Sequence, residues 1–190
     1  LSVFKPGNNV KMTEEIIIAG FGGQGVLSMG KIIAYSGVMQ DMEVSWMPSY
    51  GPEMRGGTAN VTVILSTERI SSPILKYYDA IILNQQSLEK FENHVKPGGV
   101  LIYDGNGIIR HPRRNDISIY RIDATEEAVK MKSPRTFNMI VLGGFLKVKP
   151  VLKLENVIKG LEESLPERYH NMIPENKRAL KRGSEIIRKV

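Results

Sequence analysis

The first candidate for chemistry in this sequence is a glycine-rich hexapeptide that directly follows the apolar run Ile16-Ile17-Ile18-Ala19. The hexapeptide consists of Gly20, Phe21, Gly22, Gly23, Gln24 and Gly25. The β-branched run predicts a buried parallel strand, and the helical pattern after the glycines places the hexapeptide at a strand-to-helix turn. Glycines at such a turn allow backbone N–H groups at the mouth of a helix to approach a phosphate. The spacing therefore predicts a nucleotide-like ligand.

A second glycine-rich segment, Ser49-Tyr50-Gly51-Pro52-Glu53-Met54-Arg55-Gly56-Gly57, joins the next two predicted strands. In a doubly wound sheet this loop emerges at the same carboxyl edge as the first. Two interpretations are equally open. Glu53 and Arg55 form only a local ion pair in a structural connection, or Gly56 and Gly57 allow a ligand or a neighbouring subunit to approach the Arg55 guanidinium.

A dinucleotide such as NAD fits this pattern less well. Three glycines of the hexapeptide match the GxGxxG spacing, but an NAD site also requires an acid at the end of the second strand to hold the ribose. That strand ends in Trp46-Met47-Pro48, whereas Asp41 and Glu43 lie before it or at its start. The missing acid weakens the NAD interpretation.

An ATPase P-loop is rejected. Gly25, Gly30 and Lys31 match its spacing up to the last position, where Ile32 replaces the Ser or Thr that would bind magnesium. Lys31 is expected on the surface of the first helix.

No group of side chains forms a recognisable catalytic set or metal site. Asn84, Gln85 and Ser87 follow the fourth predicted strand at the same edge, but residues of these types commonly cap helices. Asp104 precedes Gly-Asn-Gly and is predicted to form a turn. The three histidines share no metal-ligand spacing.

Composition narrows the class of protein. The chain has 190 residues, no cysteine and a formal charge of +6 from 26 basic and 20 acidic residues. Without cysteine it cannot provide thiolate ligands for zinc or iron–sulfur clusters. No apolar run is long enough to span a membrane and no secretory signal is evident, which favours a soluble, cytoplasmic protein. The basic segment from Lys177 to Lys189 predicts a solvated helix face, and no nucleic-acid site is expected.

The pattern of elements predicts a three-layer α/β fold with a mostly parallel, Rossmann-like sheet and C-terminal helices. We expect an N-terminal arm over 1–12, an α/β domain over 13–150 and a helical extension of the same domain over 151–190. Met12 is a plausible start, with the preceding residues an upstream extension or a cloning remnant. Strands are predicted at 15–19, 43–47, 58–65, 80–83, 100–103 and 117–122, and helices at 24–35, 88–94, 125–131, 137–146 and 154–165 and after Pro174. Gly37 is predicted to end the first helix.

The two glycine-rich segments in combination resemble the gamma subunit of 2-oxoacid:ferredoxin oxidoreductases, particularly the 2-oxoglutarate type. The similarity spans about 14–145 and includes Ser72-Pro73, Asp79, Pro97-Gly98-Gly99, Asn138-Met139 and Leu142-Gly143.

The resemblance implies a complex that decarboxylates a 2-oxoacid oxidatively, transfers the acyl group to coenzyme A and reduces ferredoxin. This chain would form part of the coenzyme A site through the hexapeptide, Glu53, Arg55, Gly56 and Gly57. Thiamine diphosphate, magnesium and iron–sulfur clusters would belong to alpha and beta subunits and a ferredoxin-like subunit. The alternatives are an indolepyruvate-type oxidoreductase subunit and a free-standing dinucleotide-binding regulator.

Overall fold

The computed structural model describes residues 11–50 and 58–190 of the chain. The strands are β1 (Thr13–Phe21), β2 (Glu43–Tyr50), β3 (Thr58–Ser66), β4 (Asp79–Ile82), β5 (Val100–Asp104), β6 (Ser118–Ile122) and β7 (Arg188–Lys189). The helices are α1 (Val26–Val38), α2 (Gln85–Phe91), α3 (Ala124–Lys130), α4 (Phe137–Val148), α5 (Leu154–Ser164) and α6 (Ile173–Ile186). All the predicted strands and helices are present, with ends that differ by a few residues. The predicted N-terminal arm lies largely outside the described residues.

The strands form one sheet in the order β2-β3-β1-β4-β5-β6-β7. The central strands β1, β4, β5 and β6 are parallel, as predicted, whereas β3 runs antiparallel between β2 and β1. β7 adds a short antiparallel pair to β6 that the sequence analysis missed.

Helices cover the two faces of the sheet unequally within the part of the chain that the structure describes. α1, α3, α4, α5 and α6 pack around one core that includes Ile16, Val63 and Ile102, whereas α2 covers a smaller core that includes Ile17 and Leu101. The predicted three-layer α/β fold is therefore confirmed, with its C-terminal helices packed on the larger face.

Two predicted boundaries are wrong for physical reasons. β2 was expected to end at Met47, before Pro48, but it continues to Tyr50. Among the described strands β2 lies at the edge of the sheet, where the missing proline N–H can be tolerated. Gly37 does not end α1 but lies inside it. The glycine allows α1 to pack closely on β3, because an added Cβ would lie 2.5 Å from Leu65 Cδ2.

The α4–α6 contact depends on a close approach of the two backbones. A Cβ added to Gly183 in α6 would collide with the carbonyl oxygen of Ile140 in α4, and one added to Gly143 would collide with the carbonyl oxygen of Leu180. The two glycines thus permit the crossing that anchors α6 beside α4.

A charged cluster lies at the amino edge of the sheet, opposite the glycine-rich turn. The buried Asp79 carboxylate lies 3.1 Å from both Lys96 Nζ and Lys149 Nζ, and Lys149 also pairs with Glu14 at 3.0 Å. Burial raises the pKa of Asp79, but the hydrogen bond from Val100 N and the two ammonium groups outweigh it. The pKa of Asp79 is therefore held below its usual value.

Candidate functional site

β1 leads into α1 through a turn that requires glycine at two positions. Gly23 and Gly25 have φ angles of 98° and 74°, in the left-handed region that disfavours other residues. Gly25 is the N-cap of α1, which has no acid in its first turn and no side-chain cap from the described residues. Because the first N–H groups of a helix lack partners within it, this end of α1 presents donors and the positive end of the helix dipole.

Gln24 holds this turn together. Its Oε1 accepts a hydrogen bond from Phe21 N at 2.6 Å, and its Nε2 donates to Leu83 O, beyond β4, at 3.3 Å. Gly20 is packed against the same side chain, since a Cβ there would lie 2.6 Å from Gln24 Oε1. Gln24 and Gly20 therefore have structural tasks in joining the turn to β4.

A cavity of about 430 Å³, which we call the glycine-turn cleft, opens beside this turn. Its lining consists of Gly23, Gln24, Gly25, Ser28, Thr125, Ala128, Val129, Pro134, Arg135, Phe137 and Asn138. Gly20, Phe21 and Gly22 do not line it. The two walls meet closely, because a Cβ on Gly25 would lie 2.6 Å from Asn138 Nδ2. The cleft thus lies between the start of α1 and the segment that joins α3 to α4.

Arg135 is the main residue of this cleft that the sequence analysis missed. It lies on a 3₁₀ turn, Pro134–Thr136, and its exposed side chain makes no ion pair with an acid of the described ranges. A guanidinium facing an uncapped helix N-terminus favours a bound anion such as a phosphate. The only signal in the sequence was an arginine after a Ser-Pro break, and it is too common to single out.

The second glycine-rich loop leaves and rejoins the sheet at the predicted edge. β2 ends at Tyr50, opposite Ala59, and β3 begins at Thr58, which pairs with Phe21 at the end of β1. The loop therefore connects two antiparallel neighbours, not strands related by a crossover. Its proposed site residues Glu53, Arg55, Gly56 and Gly57 lie outside the described residues.

The polar residues after β4 support the fold. Asn84 Oδ1 caps α2 by accepting a hydrogen bond from Ser87 N at 2.8 Å, and Gln85 Oε1 accepts from Ile109 N and Arg110 N. Capping, the alternative that the sequence analysis allowed, is what the Asn84 side chain does, whereas Gln85 holds the backbone at Ile109 and Arg110.

Asp104 forms the predicted turn and has a second task that the sequence analysis did not predict. Its backbone takes part in the expected turn, but its buried carboxylate accepts hydrogen bonds from Ala124 N and Thr125 N at the start of α3 and from Thr125 Oγ1. Burial raises the pKa of Asp104, although these hydrogen bonds act against that shift. Asp104 thus fixes the wall of the glycine-turn cleft that α3 provides.

Lys31 and the histidines add no further chemistry. Lys31 is exposed, as expected, and its Nζ lies 3.5 Å from Ser164 O at the end of α5. His111 Nδ1 lies 3.1 Å from Tyr103 Oη, and His170 Nε2 lies near the carbonyl oxygens of Glu162 and Leu165. Over the described ranges there is no group of His, Asp and Glu side chains suited to a metal, and no helix is long and apolar enough to cross a membrane.

Sequence comparisons identify relatives of two lengths. The chain is 40% identical over 133 residues to the ketoisovalerate oxidoreductase subunit VorA of Methanothermobacter thermautotrophicus, covering 66% of this chain and 26% of that relative. It is 30% identical over 185 residues to the 2-oxoglutarate synthase subunit KorC of Methanocaldococcus jannaschii, covering 95% of this chain and 97% of the relative. The chain therefore spans about a quarter of VorA but nearly the whole of KorC.

Solved structures share the fold. A keto/oxoacid ferredoxin oxidoreductase gamma subunit from Geobacter sulfurreducens has a TM-score of 0.79 at 24% identity, covering 92% of this chain and 96% of that chain. A 2-oxoglutarate:ferredoxin oxidoreductase from Magnetococcus marinus, with 2-oxoglutarate, coenzyme A and succinyl-CoA bound, has a TM-score of 0.82 at 25% identity, covering 92% of this chain and 31% of that chain. The resemblance drawn from the glycine-rich segments is thus confirmed. With a family match over residues 15–186, the chain belongs to the pyruvate ferredoxin/flavodoxin oxidoreductase family.

Proposed function

We propose that this chain forms the coenzyme A-binding part of a 2-oxoacid:ferredoxin oxidoreductase. The observation that carries the proposal is the uncapped N-terminus of α1, which faces Arg135 across the glycine-turn cleft. Coenzyme A bears phosphates, and backbone N–H groups at a helix N-terminus together with a guanidinium are suitable partners for them. Its thiol is the group that accepts the acyl chain.

Each residue has a distinct part in this proposal. Gly23 and Gly25 would let the backbone come close to a phosphate, Arg135 would supply the opposing charge, and Gln24 would hold the turn in place for both. Gly20, Phe21 and Gly22 would shape the turn without lining the cleft.

The remaining chemistry would reside on partner chains. The sequence has no cysteine for an iron–sulfur cluster, and the described residues hold no catalytic group of side chains. We propose that alpha and beta subunits carry thiamine diphosphate and magnesium, that a ferredoxin-like subunit carries the clusters, and that ferredoxin is the acceptor.

For the 2-oxoacid we propose 2-oxoglutarate. The support is that KorC matches this chain along nearly its whole length. Ketoisovalerate is the second candidate, because the VorA segment has the higher identity, 40%.

The test is to tag the chain in its native cells, purify it and assay the recovered material. The expected result is an assembly with thiamine-binding and iron–sulfur subunits that reduces ferredoxin only when a 2-oxoacid and coenzyme A are both present. 2-Oxoglutarate, ketoisovalerate, pyruvate and indolepyruvate, compared as substrates, identify the acid. Recovery of the chain alone, able to bind NAD, would support the free-standing regulator instead.

Arg55 is a further proposed contact of the complex. The glycines next to it in the sequence would allow a ligand or a neighbouring subunit to approach closely. Its planar guanidinium can bind a phosphate or carboxylate through two hydrogen bonds. Arg55→Ala is expected to leave the melting temperature of the chain unchanged while it impairs assembly or acyl transfer in the complex. A large loss of melting temperature with full activity of the complex would show that Arg55 is structural.

A further inference from the structure

A second cavity, of about 470 Å³, opens between the segment that joins α3 to α4 and the first turn of α6. Three basic residues line it, namely Lys132, Arg135 and Arg168, and we call it the basic pocket. Glu175 is the one acid in its described lining. Arg135 also lines the glycine-turn cleft, whereas Lys132 and Arg168 do not. A ligand of the cleft therefore does not explain why these two residues lie together.

The charges of the basic pocket are not neutralised within the described ranges 11–50 and 58–190. No acidic oxygen there lies within 4.0 Å of a side-chain nitrogen of Lys132, Arg135 or Arg168. By contrast, Arg182, further along α6, pairs with an acid of α3 at 2.7 Å. The Arg168 guanidinium lies over the Tyr169 ring, 5.0 Å from its centroid. Positive charges gathered in one concave surface favour a partner that brings carboxylates to them.

Lys132 occupies a backbone position at which glycine is the more stable residue. Its φ angle is 56°, in the left-handed region. Lys132 N donates to Val129 O and Ser133 N donates to Ala128 O, which is the hydrogen-bond pattern of a helix that ends in glycine. Asp41, after α1, has a φ angle of 58° and the same pattern. Backbone strain of this kind is often found at binding sites, and Asp41 provides a matched position outside the basic pocket.

The basic pocket lies in the part of the chain that holds the whole excess of positive charge. Residues 130–190 contain 14 basic and six acidic residues, whereas residues 1–129 contain 12 basic and 14 acidic residues. A surface with such a field attracts an acidic protein and speeds its association. The charge of the C-terminal third therefore acts in the same direction as the three residues of the pocket.

We propose that the basic pocket is the docking site for an acidic segment of another subunit, whose carboxylates pair with Lys132 and Arg168. A guanidinium binds a carboxylate through two hydrogen bonds, and Lys132 adds a point charge from the other segment of the lining. Glu175 would face an N–H donor of the docked segment, which suits a peptide better than the uniformly negative backbone of a nucleic acid. The inference rests on the proposed function for the identity of the partner, which would be a subunit of the 2-oxoacid:ferredoxin oxidoreductase.

The test uses the assembly purified from native cells through a tag on this chain. A water-soluble carbodiimide joins a lysine by an amide bond to a carboxylate that is in contact with it, and mass spectrometry identifies the two peptides. We expect a cross-link from Lys132 to an Asp or Glu of another subunit. Its yield should fall when salt is raised from about 0.1 M to about 1 M, because the screening length falls from about 10 Å to about 3 Å. Cross-links from other lysines to the partner subunits, with none from Lys132, would overturn the inference.

The variant Lys132→Gly separates the side chain from the backbone. It should raise the melting temperature of the chain by about 1–4 °C, because glycine relieves the left-handed strain. It should also recover about fivefold less of the partner subunit from cells, the effect of one lost ion pair. Asp41→Gly, the matched control, should raise the melting temperature similarly and leave recovery of the partner unchanged.

A charge reversal provides a second variant. Arg168→Glu should reduce recovery of the partner about tenfold or more, because it places a like charge opposite the acidic segment. Full recovery of the partner with both Lys132→Gly and Arg168→Glu would overturn the inference. Nucleic acid that co-purifies with the unmodified chain and is lost in Lys132→Gly would overturn it as well.

These outcomes separate the inference from the proposed function. An assembly that oxidises a 2-oxoacid and keeps its partners in both variants would uphold the function and contradict the docking site. A Lys132 cross-link to an acidic protein that binds neither thiamine diphosphate nor an iron–sulfur cluster, with recovery that depends on Lys132 and Arg168, would support the docking site and contradict the proposed oxidoreductase assembly.

Discussion

Replacing Gly25 with alanine is expected to destabilise the chain through two separable effects. At φ 74° a residue with a Cβ costs about 1–2 kcal/mol. The new methyl group would also lie 2.6 Å from Asn138 Nδ2, so Asn138 must leave its rotamer at a cost of about 1 kcal/mol. The sum of about 2–3 kcal/mol corresponds to a melting temperature lower by roughly 4–12 °C for a chain of this size.

Two further variants separate the backbone effect from the contact. Gly23→Ala has a similarly positive φ but no atom within 4 Å of the new Cβ, so it reports backbone strain alone. Asn138→Ala, combined with Gly25→Ala, should recover about 1 kcal/mol relative to the sum of the single changes. Thermal unfolding of the four variants provides the measurement. If Asn138→Ala gives no recovery, Asn138 does not contact the turn and the described wall of the cleft is wrong.

Two further predictions concern stability. Gly183→Ala should lose about 1–3 kcal/mol because its methyl group would force α6 away from α4; a loss below 0.5 kcal/mol in urea unfolding, about the limit for a neutral surface change, would contradict the close crossing. Asp79→Asn should lose about 3 kcal/mol near neutral pH by leaving Lys96 and Lys149 poorly compensated. Because folding lowers the pKa of Asp79, its contribution is present above the unfolded pKa and is lost as pH falls through the folded pKa. The melting temperature of the unmodified chain should consequently fall more steeply in acid than that of Asp79→Asn, and parallel pH profiles would refute this role.

The central strands of the sheet could be predicted from the sequence because the pattern that identifies them is local. The apolar runs of β1, β4 and β5 are continuous and end in glycines or polar residues, which identifies central strands without reference to the rest of the chain. The edge of the sheet was predicted less well, since Pro48 stops a strand only where its N–H is needed. The antiparallel direction of β3 depends on strand pairing that no local pattern reveals.

The glycine-turn cleft could also be predicted only in part. The turn at Gly23 and Gly25 could be predicted because both glycines follow a strand and precede a helix. Arg135 could not, because only the packing of the segment between α3 and α4 on the larger face brings it beside α1. No feature of its immediate sequence separates it from a surface arginine.

The Michaelis constant for coenzyme A in the assembled complex tests the central claim most directly. Arg135→Ala is expected to raise it about tenfold or more, the effect of one lost hydrogen bond to a charged group, and to leave the Michaelis constant for the 2-oxoacid unchanged. Arg178→Ala, which removes an exposed arginine outside the glycine-turn cleft, should change neither Michaelis constant. An unchanged Michaelis constant for coenzyme A in Arg135→Ala would contradict the proposal that the glycine-turn cleft binds it.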